Sequence, residues 1–290
     1  MKLGIAGLLP RRFTSIDSAA VRAIKDLGFS GGAVAPTEPP ADISTEQARD
    51  IAGIFAGEGV DLVEFGQYGT TFVHPDVRVR RDNIEVVRQA SRVASAAGCP
   101  AVIVGIGSLN PRGNWFPHRD NFTAATRDRL IATLAVAVHA AEDEGVLLAL
   151  ECHVTTTLRD AATARAVLDA VGSSSLKIHL DPVNWITLDT VFNSGPAIHS
   201  MVATLGAGRI SGAHSKGAVV EDRLITHLNE TYTGDPEDLI DHRAVLTALQ
   251  GFPEATYVVI EHLMKEQMPV ARDYLHRVAA GLGVAFASPV

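Results

Sequence analysis

Eight short, predominantly apolar runs punctuate the chain. They cover residues 2–8 (KLGIAGL), 31–36 (GGAVAP), 60–66 (VDLVEFG), 100–107 (PAVIVGIG), 146–151 (VLLALE), 176–181 (LKIHLD), 209–214 (RISGAH) and 257–262 (YVVIEH). Most are continuous rather than alternating, which predicts strands of a parallel sheet covered on both faces. Between them, residues 17–27, 45–58, 80–97, 123–144, 160–171, 196–205, 242–249 and 269–282 carry apolar side chains three and four positions apart. That spacing lays one apolar stripe along a helix. Several of these segments close on glycine, as in DLGF, AAGC and DEGV, a stop signal for a helix that feeds a strand.

Strand then helix, repeated eight times, predicts an α/β fold of the (β/α)8 TIM-barrel kind, with an open doubly wound sheet as the rival arrangement. No linker or low-complexity segment divides the chain, so residues 1–290 are expected to form a single barrel domain. Composition agrees with this: 47% hydrophobic and 20% charged residues suit a large covered core. The net charge of −8 disfavours nonspecific attraction to nucleic acid or an anionic membrane. With two cysteines, Cys99 and Cys152, each beside a strand run, there is no disulfide framework or cysteine-rich zinc site. The first residues, MKLGIAGLLPRR, do not make a signal peptide, and no run is long enough to span a membrane. A cytoplasmic protein without membrane or nucleic-acid partners is the expectation.

In such barrels chemistry sits at the C-terminal ends of the strands. The last four runs end at Glu151, Asp181 and His214 and, one residue short of its end, Glu261. Each alone reads as a solvated loop residue or a structural histidine. Four such residues at four successive strand ends, however, would bring three carboxylates to one mouth, and a divalent cation removes that repulsion. Oxygen-rich ligation with one imidazole suits Mn²⁺ as first expectation, with Mg²⁺, Co²⁺ or Zn²⁺ as alternatives. His153 and His262 follow the two glutamates by two residues and one. Either could support a ligating carboxylate, and His153, facing as Glu151 does by the period of two, could instead transfer protons.

At these residues, in LALECH, HLDPVN, SGAHSKG and VVIEHL, the chain resembles the xylose isomerase-like superfamily of barrels, which includes sugar isomerases and epimerases, inosose dehydratases and endonuclease IV-type repair enzymes. The resemblance implies one divalent ion held by Glu151, Asp181, His214 and Glu261. It further implies that Glu151 and Glu261 act as acid/base groups on either side of a sugar, and that Lys216 polarises a substrate oxygen. Two positions depart from the ketose 3-epimerases, which carry a histidine where this chain has Asn184 and an arginine where it has Val220. Asn184 is then the substrate contact left at that position. The three-metal centre of endonuclease IV relatives lacks its early ligands, because among the ends of the early strands only Glu64 offers a carboxylate or imidazole, and it lies inside its run.

The loop SLNPRGNWFPHRDNFT carries Trp115 and His118, an aromatic platform for a sugar face and a candidate acid or base. The alternative is a loop packed on its own aromatics. Trp185 is a second candidate platform. Residues 217–241 form a longer loop of the kind that becomes a lid, with His227 and Glu230 in unassigned directions. Although Arg112 and Arg119 could meet a phosphate, no glycine-rich phosphate loop follows the late strands.

The sequence therefore predicts a one-metal enzyme acting on a small sugar or keto-sugar by removing a proton next to a carbonyl. Isomerisation or epimerisation is the first outcome. The alternative is β-elimination by a lyase or dehydratase on a keto-sugar, keto-inositol or 3-keto-glycoside. A non-catalytic sugar-binding barrel or accessory subunit, and self-association into a homo-oligomer, stay open.

Overall fold

The computed structural model describes residues 1–252 and 256–287, so residues 253–255 and 288–290 lie outside the described residues. The apolar runs form the strands β1 (Lys2–Ile5), β2 (Gly31–Val34), β3 (Asp61–Gln67), β4 (Ala101–Gly105), β5 (Leu147–Glu151), β6 (Leu176–Leu180) and β7 (Ile210–Ser215). A short hairpin of β8 (Gly217–Val220) and β9 (Leu228–Thr231) follows, and β10 (Tyr257–Ile260) is the last strand of the barrel. All but the hairpin strands pair in parallel and close in the order β1-β10-β7-β6-β5-β4-β3-β2. The closed (β/α)8 barrel is thus present and the open sheet is excluded.

Outside it lie α1 (Ser18–Asp26), α2 (Thr45–Glu58), α3 (Val77–Ala96), α4 (Ala124–Glu144), α5 (Ala161–Val171), α6 (Ser194–Leu205), α7 (His242–Leu249) and α8 (Met268–Ala280). Their starts follow local chemistry. Asp17, Asp160 and Asp241 each accept a backbone N–H in the first turn of α1, α5 and α7, and Ser44 with Gln47 closes a reciprocal cap on α2. Helix α3 begins three residues before the expected 80 because Asp76 caps it through Arg78 N. At the C-terminus of α4, Gly145 adopts φ 67°, the left-handed turn its DEGV signal implied. Among the described residues no helix is long and apolar enough to cross a membrane.

One large apolar cluster fills the space between barrel and helices. Inside the barrel the packing is thinner, built from Ala33, Val63, Tyr257 and Val259 on one side and Ala101, Ile103 and Ala149 on the other. The alanines among them leave room in the lumen for polar residues. Two register shifts place them. The pairing of β2 with β3 steps from Gly32↔Leu62 to Ala33↔Glu64, leaving Val63 as the extra residue. The pairing of β6 with β7 steps from Ile178↔Ile210 to His179↔Gly212, leaving Ser211 extra. Such bulges re-aim the following side chain, here Glu64 on β3 and the surroundings of His179 on β6.

Candidate metal centre

Strand closure brings four chemically demanding side chains to one mouth. Glu151 ends β5, Asp181 follows β6, His214 is the penultimate residue of β7 and Glu261 follows β10. One ligand atom from each lies within 4.8 Å of the others, and all four residues are buried. His214 Nδ1 is 3.3 Å from Glu261 Oε2 and 3.7 Å from Glu151 Oε2. On the other side of the ring, Nε2 is hydrogen-bonded to Glu64 Oε2 at 3.1 Å. When Nε2 carries the proton, Nδ1 presents a lone pair to two carboxylates, and it has no hydrogen-bond partner. Asp181 Oδ2 and Glu261 Oε1 are likewise buried without one. Lone pairs pointing at one small space are the mark of a cation site, and the donor set fits a divalent ion. A carboxylate behind a ligating imidazole is the usual support of such a ligand.

Burial and neighbouring charge act against each other on several of these groups. Burial opposes ionisation of His214, but Glu261, Glu64 and Glu151 outweigh it and hold the imidazole well above its ordinary pKa. Burial likewise works against Glu64, and His179 with His214 overrides it, keeping that carboxyl far below the usual range. Desolvation and then the carboxylates Glu151, Glu64, Glu261 and Asp181 keep the Tyr68 phenol neutral well above its ordinary range.

Around the four ligands, the structure places the other expected residues in different ways. Asn184 donates its amide to Glu151 Oε1 at 2.9 Å, so it holds that carboxylate directly. Lys216 is buried and reaches Asp181 at 2.8 Å, Glu230 at 2.7 Å and Glu261 at 3.3 Å. Burial would discharge it, yet these carboxylates raise its pKa and keep it an ammonium. His153 is half-buried, bonded to the Thr155 hydroxyl at 2.8 Å and edge-on to Trp115 at 6.4 Å. Burial and then the Lys216 charge lower its pKa. Trp115 lies over Gly105, whose missing side chain makes the space: a Cβ there would stand 2.7 Å from the indole. Since Gly105 pairs with Glu151, the indole covers the rim beside a ligand. Next to the ligands a cavity of about 390 Å³ is lined by Tyr68, Arg11, Glu261 and His262, which suits a small substrate.

Two expected residues stand elsewhere. Trp185 is 6% exposed and packs in the outer core, with its indole N–H bonded to Leu158 O at 2.8 Å. A sugar platform needs an open face, and this ring has none. His118 accepts Asp120 N and lines a separate cavity with His74 and Arg129, behind the loop that carries Trp115. The seventh loop, read as irregular, contains the β8–β9 hairpin. Its Glu230 turns to the mouth, whereas His227 is exposed. His262 accordingly meets Glu230 at 2.7 Å, its Nε2 lying 3.8 Å from the ligand Glu261. Both cysteines are free and buried, and burial pushes the Cys99 thiol up to about 12.

A comparison with known families agrees with the fold: the xylose isomerase-like TIM barrel profile matches residues 21–277. The chain belongs to that family. This xylose isomerase-like barrel is similar to a D-tagatose 3-epimerase-like protein at 17% identity and TM-score 0.74, covering 98% of each chain. It is also similar to an L-ribulose 3-epimerase, at 20% identity and TM-score 0.69, over 98% of this chain and 94% of that one. A xylose isomerase-like barrel from Mycobacterium smegmatis, solved in complex with magnesium, matches at 17% identity and TM-score 0.71, over 96% and 95% of the two chains. At such identities the likeness shows the fold. No protein of curated function matches the sequence.

Proposed function

We propose that this barrel is a divalent-metal-dependent carbohydrate enzyme that removes a proton next to a carbonyl, foremost as a sugar isomerase or epimerase. The observation that carries this reading is the convergence of Glu151, Asp181, His214 and Glu261 with His214 Nδ1 unpaired among carboxylates. Held by these four residues, a cation of the Mn²⁺ or Mg²⁺ kind would act as a Lewis acid on a substrate carbonyl and neighbouring hydroxyl. Glu151 and Glu261, both within 4 Å of His214 Nδ1, are the candidate proton carriers. Asn184 fixes one oxygen of Glu151, which leaves the other free to turn to the substrate. Lys216 sets a positive charge 3.3 Å from Glu261 Oε1. Tyr68 offers a neutral hydroxyl and Trp115 an apolar wall, while His153 beside it is a further proton acceptor. Return of the proton to the opposite face gives an epimer, and return at the adjacent carbon gives an isomer.

One observation favours a second reading, β-elimination from a keto-sugar. The Asn184 amide spends one N–H on Glu151, which leaves only its second N–H and its Oδ1 for a ketose hydroxyl. Departure of a group at the β-carbon, assisted by His153, would use the same proton removal. Proton NMR in D₂O separates the two. Metal-loaded protein would be given ketoses, aldoses, an inosose and 3-keto-glycosides, with an EDTA-stripped control. Metal-dependent deuterium uptake with a new isomer supports the first reading, and an unsaturated product with loss of water or aglycone supports the second. Exchange that survives EDTA, or full activity in Glu261→Gln, would refute both.

A further inference from the structure

Below the mouth, the lumen holds a second set of donors: Glu64, His179 and His214, each with a ligand atom within 4.8 Å of the others. All three are nearly inaccessible, at 3%, 3% and 1% exposure. His179 Nδ1 lies 3.3 Å from the Ser211 hydroxyl, which donates onward to Ile178 O at 3.3 Å. A hydroxyl has one proton, so Ser211 accepts from His179 Nδ1–H, and in the neutral form of the ring the lone pair then lies on Nε2. That nitrogen stands 3.1 Å from Glu64 Oε1, yet neither atom has a hydrogen-bond partner. Two acceptors facing one another in a buried space call for something positive between them. The other oxygen of Glu64 lies 3.1 Å from His214 Nε2 and is hydrogen-bonded to it, a contact whose proton a cation would displace. Ligand atoms around a four-coordinate zinc-class ion, with bonds of about 2.0–2.1 Å, lie about 3.3 Å apart. The observed spacings approach this value.

The backbone is built for these positions. The two register shifts of the barrel fall at Val63 and Ser211, beside Glu64 and at the support of His179. Glycine at 212 keeps the His179 ring unobstructed, since a Cβ there would stand 3.2 Å from Cε1. Glu64 and His179 also form part of the wall of a cavity of about 470 Å³ at the N-terminal face of the barrel, opposite the mouth. That cavity gives an entry path separate from the substrate side.

We infer that Glu64, His179 and His214 form a second divalent-cation site in the barrel lumen, selective for zinc-class ions. Two imidazoles and one carboxylate are a nitrogen-rich set that favours Zn²⁺ or Co²⁺ over Mg²⁺, in contrast to the three carboxylates of the mouth. His214 serves both sites: Nδ1 faces the mouth and Nε2 faces the lumen. With both sites filled, its ring bridges the ions and its Nε2 proton is released to solvent. The inference rests on the mouth site only through this shared histidine.

The test is metal stoichiometry on the full chain, read by equilibrium dialysis with elemental analysis and by Co²⁺ visible absorption. Wild type is expected to bind two Co²⁺ or Zn²⁺ ions, but one Mg²⁺. His179→Ala is expected to retain one ion and lose the lumen component of the Co²⁺ spectrum, and Glu64→Gln is the second variant should His179→Ala fail to fold. Asp181→Ala is expected to lose the mouth ion and keep the lumen one. A wild type that binds one ion, with His179→Ala and Glu64→Gln unchanged from it, would overturn the lumen site and leave the mouth reading standing. Asp181→Ala indistinguishable from wild type would sink the mouth reading instead.

Discussion

Asn184 illustrates how a single residue changes role between chain and structure. The resemblance read from the chain makes it a sugar contact, and the structure adds a bond from its amide to Glu151 Oε1 at 2.9 Å in a buried setting. Asn184→Ala should therefore leave Glu151 with an unmet oxygen and free to rotate, lowering kcat or metal affinity about 10- to 100-fold, the usual cost of removing a ligand's support. Steady-state kinetics with a metal titration checks this. A rise in KM alone would make Asn184 a substrate contact after all. The four clustered residues stood out in the chain because acid and imidazole groups at the ends of apolar runs have no bland account when four come in succession. Glu64 was not legible, because two consecutive inward residues on one strand require a bulge at Val63, and strict alternation gives no sign of it. Trp185 was misplaced for a related reason: an indole just past a strand end looks exposed until Leu158 O is found to hold its N–H.

At the scale of elements, the β8–β9 hairpin ties the seventh loop to the mouth. Its pattern hides it in the sequence, since LNET has half-exposed ends, exposed middle residues and no apolar face to announce a strand. Glu230, from β9, reaches both Lys216 and His262 at 2.7 Å. Burial works against that carboxylate, yet the His262 hydrogen bond and the Lys216 charge bring it down to about 2. The same hydrogen bond raises His262 above its ordinary value of 6.5, against the opposing effect of burial. For a group raised on folding, the stabilisation is complete below the unfolded value and disappears as pH rises through the folded one. The Glu230–His262 tie should thus hold in mildly acidic solution and loosen on the alkaline side of 6.5. Following the His262 ring proton by NMR in the EDTA-stripped protein gives the midpoint. It should lie above that of a free histidine and fall back in Glu230→Gln. An unchanged midpoint in that variant would mean that Glu230 does not hold the ring.

Across the whole molecule, the fold was the most legible feature and the interior of the barrel the least. Apolar runs and three- and four-residue spacing report burial of an element's face, which is what closes β1 against β10 and lays the helices outside. They are silent on what fills the lumen, where small residues such as Ala101 and Ala149 leave room for Glu64, His179 and His214. The site that results draws its candidate ligands from β5, β7 and the residues following β6 and β10, so an ion there would link segments from Glu151 to Glu261 and relieve the repulsion among three carboxylates. A ligand that binds only the folded state stabilises it by mass action, by about 2.7 kcal/mol at a hundred times its dissociation constant. Calorimetry should therefore show a melting temperature that rises with Mn²⁺ or Mg²⁺ concentration and returns on EDTA addition. In Asp181→Ala, which removes a mouth ligand, Mg²⁺ should raise it far less. A melting temperature equally indifferent to Mg²⁺ and Mn²⁺ in the wild type would mean that the carboxylates of the mouth are neutralised by Lys216 and His214 alone, and that the centre holds no cation in the folded chain.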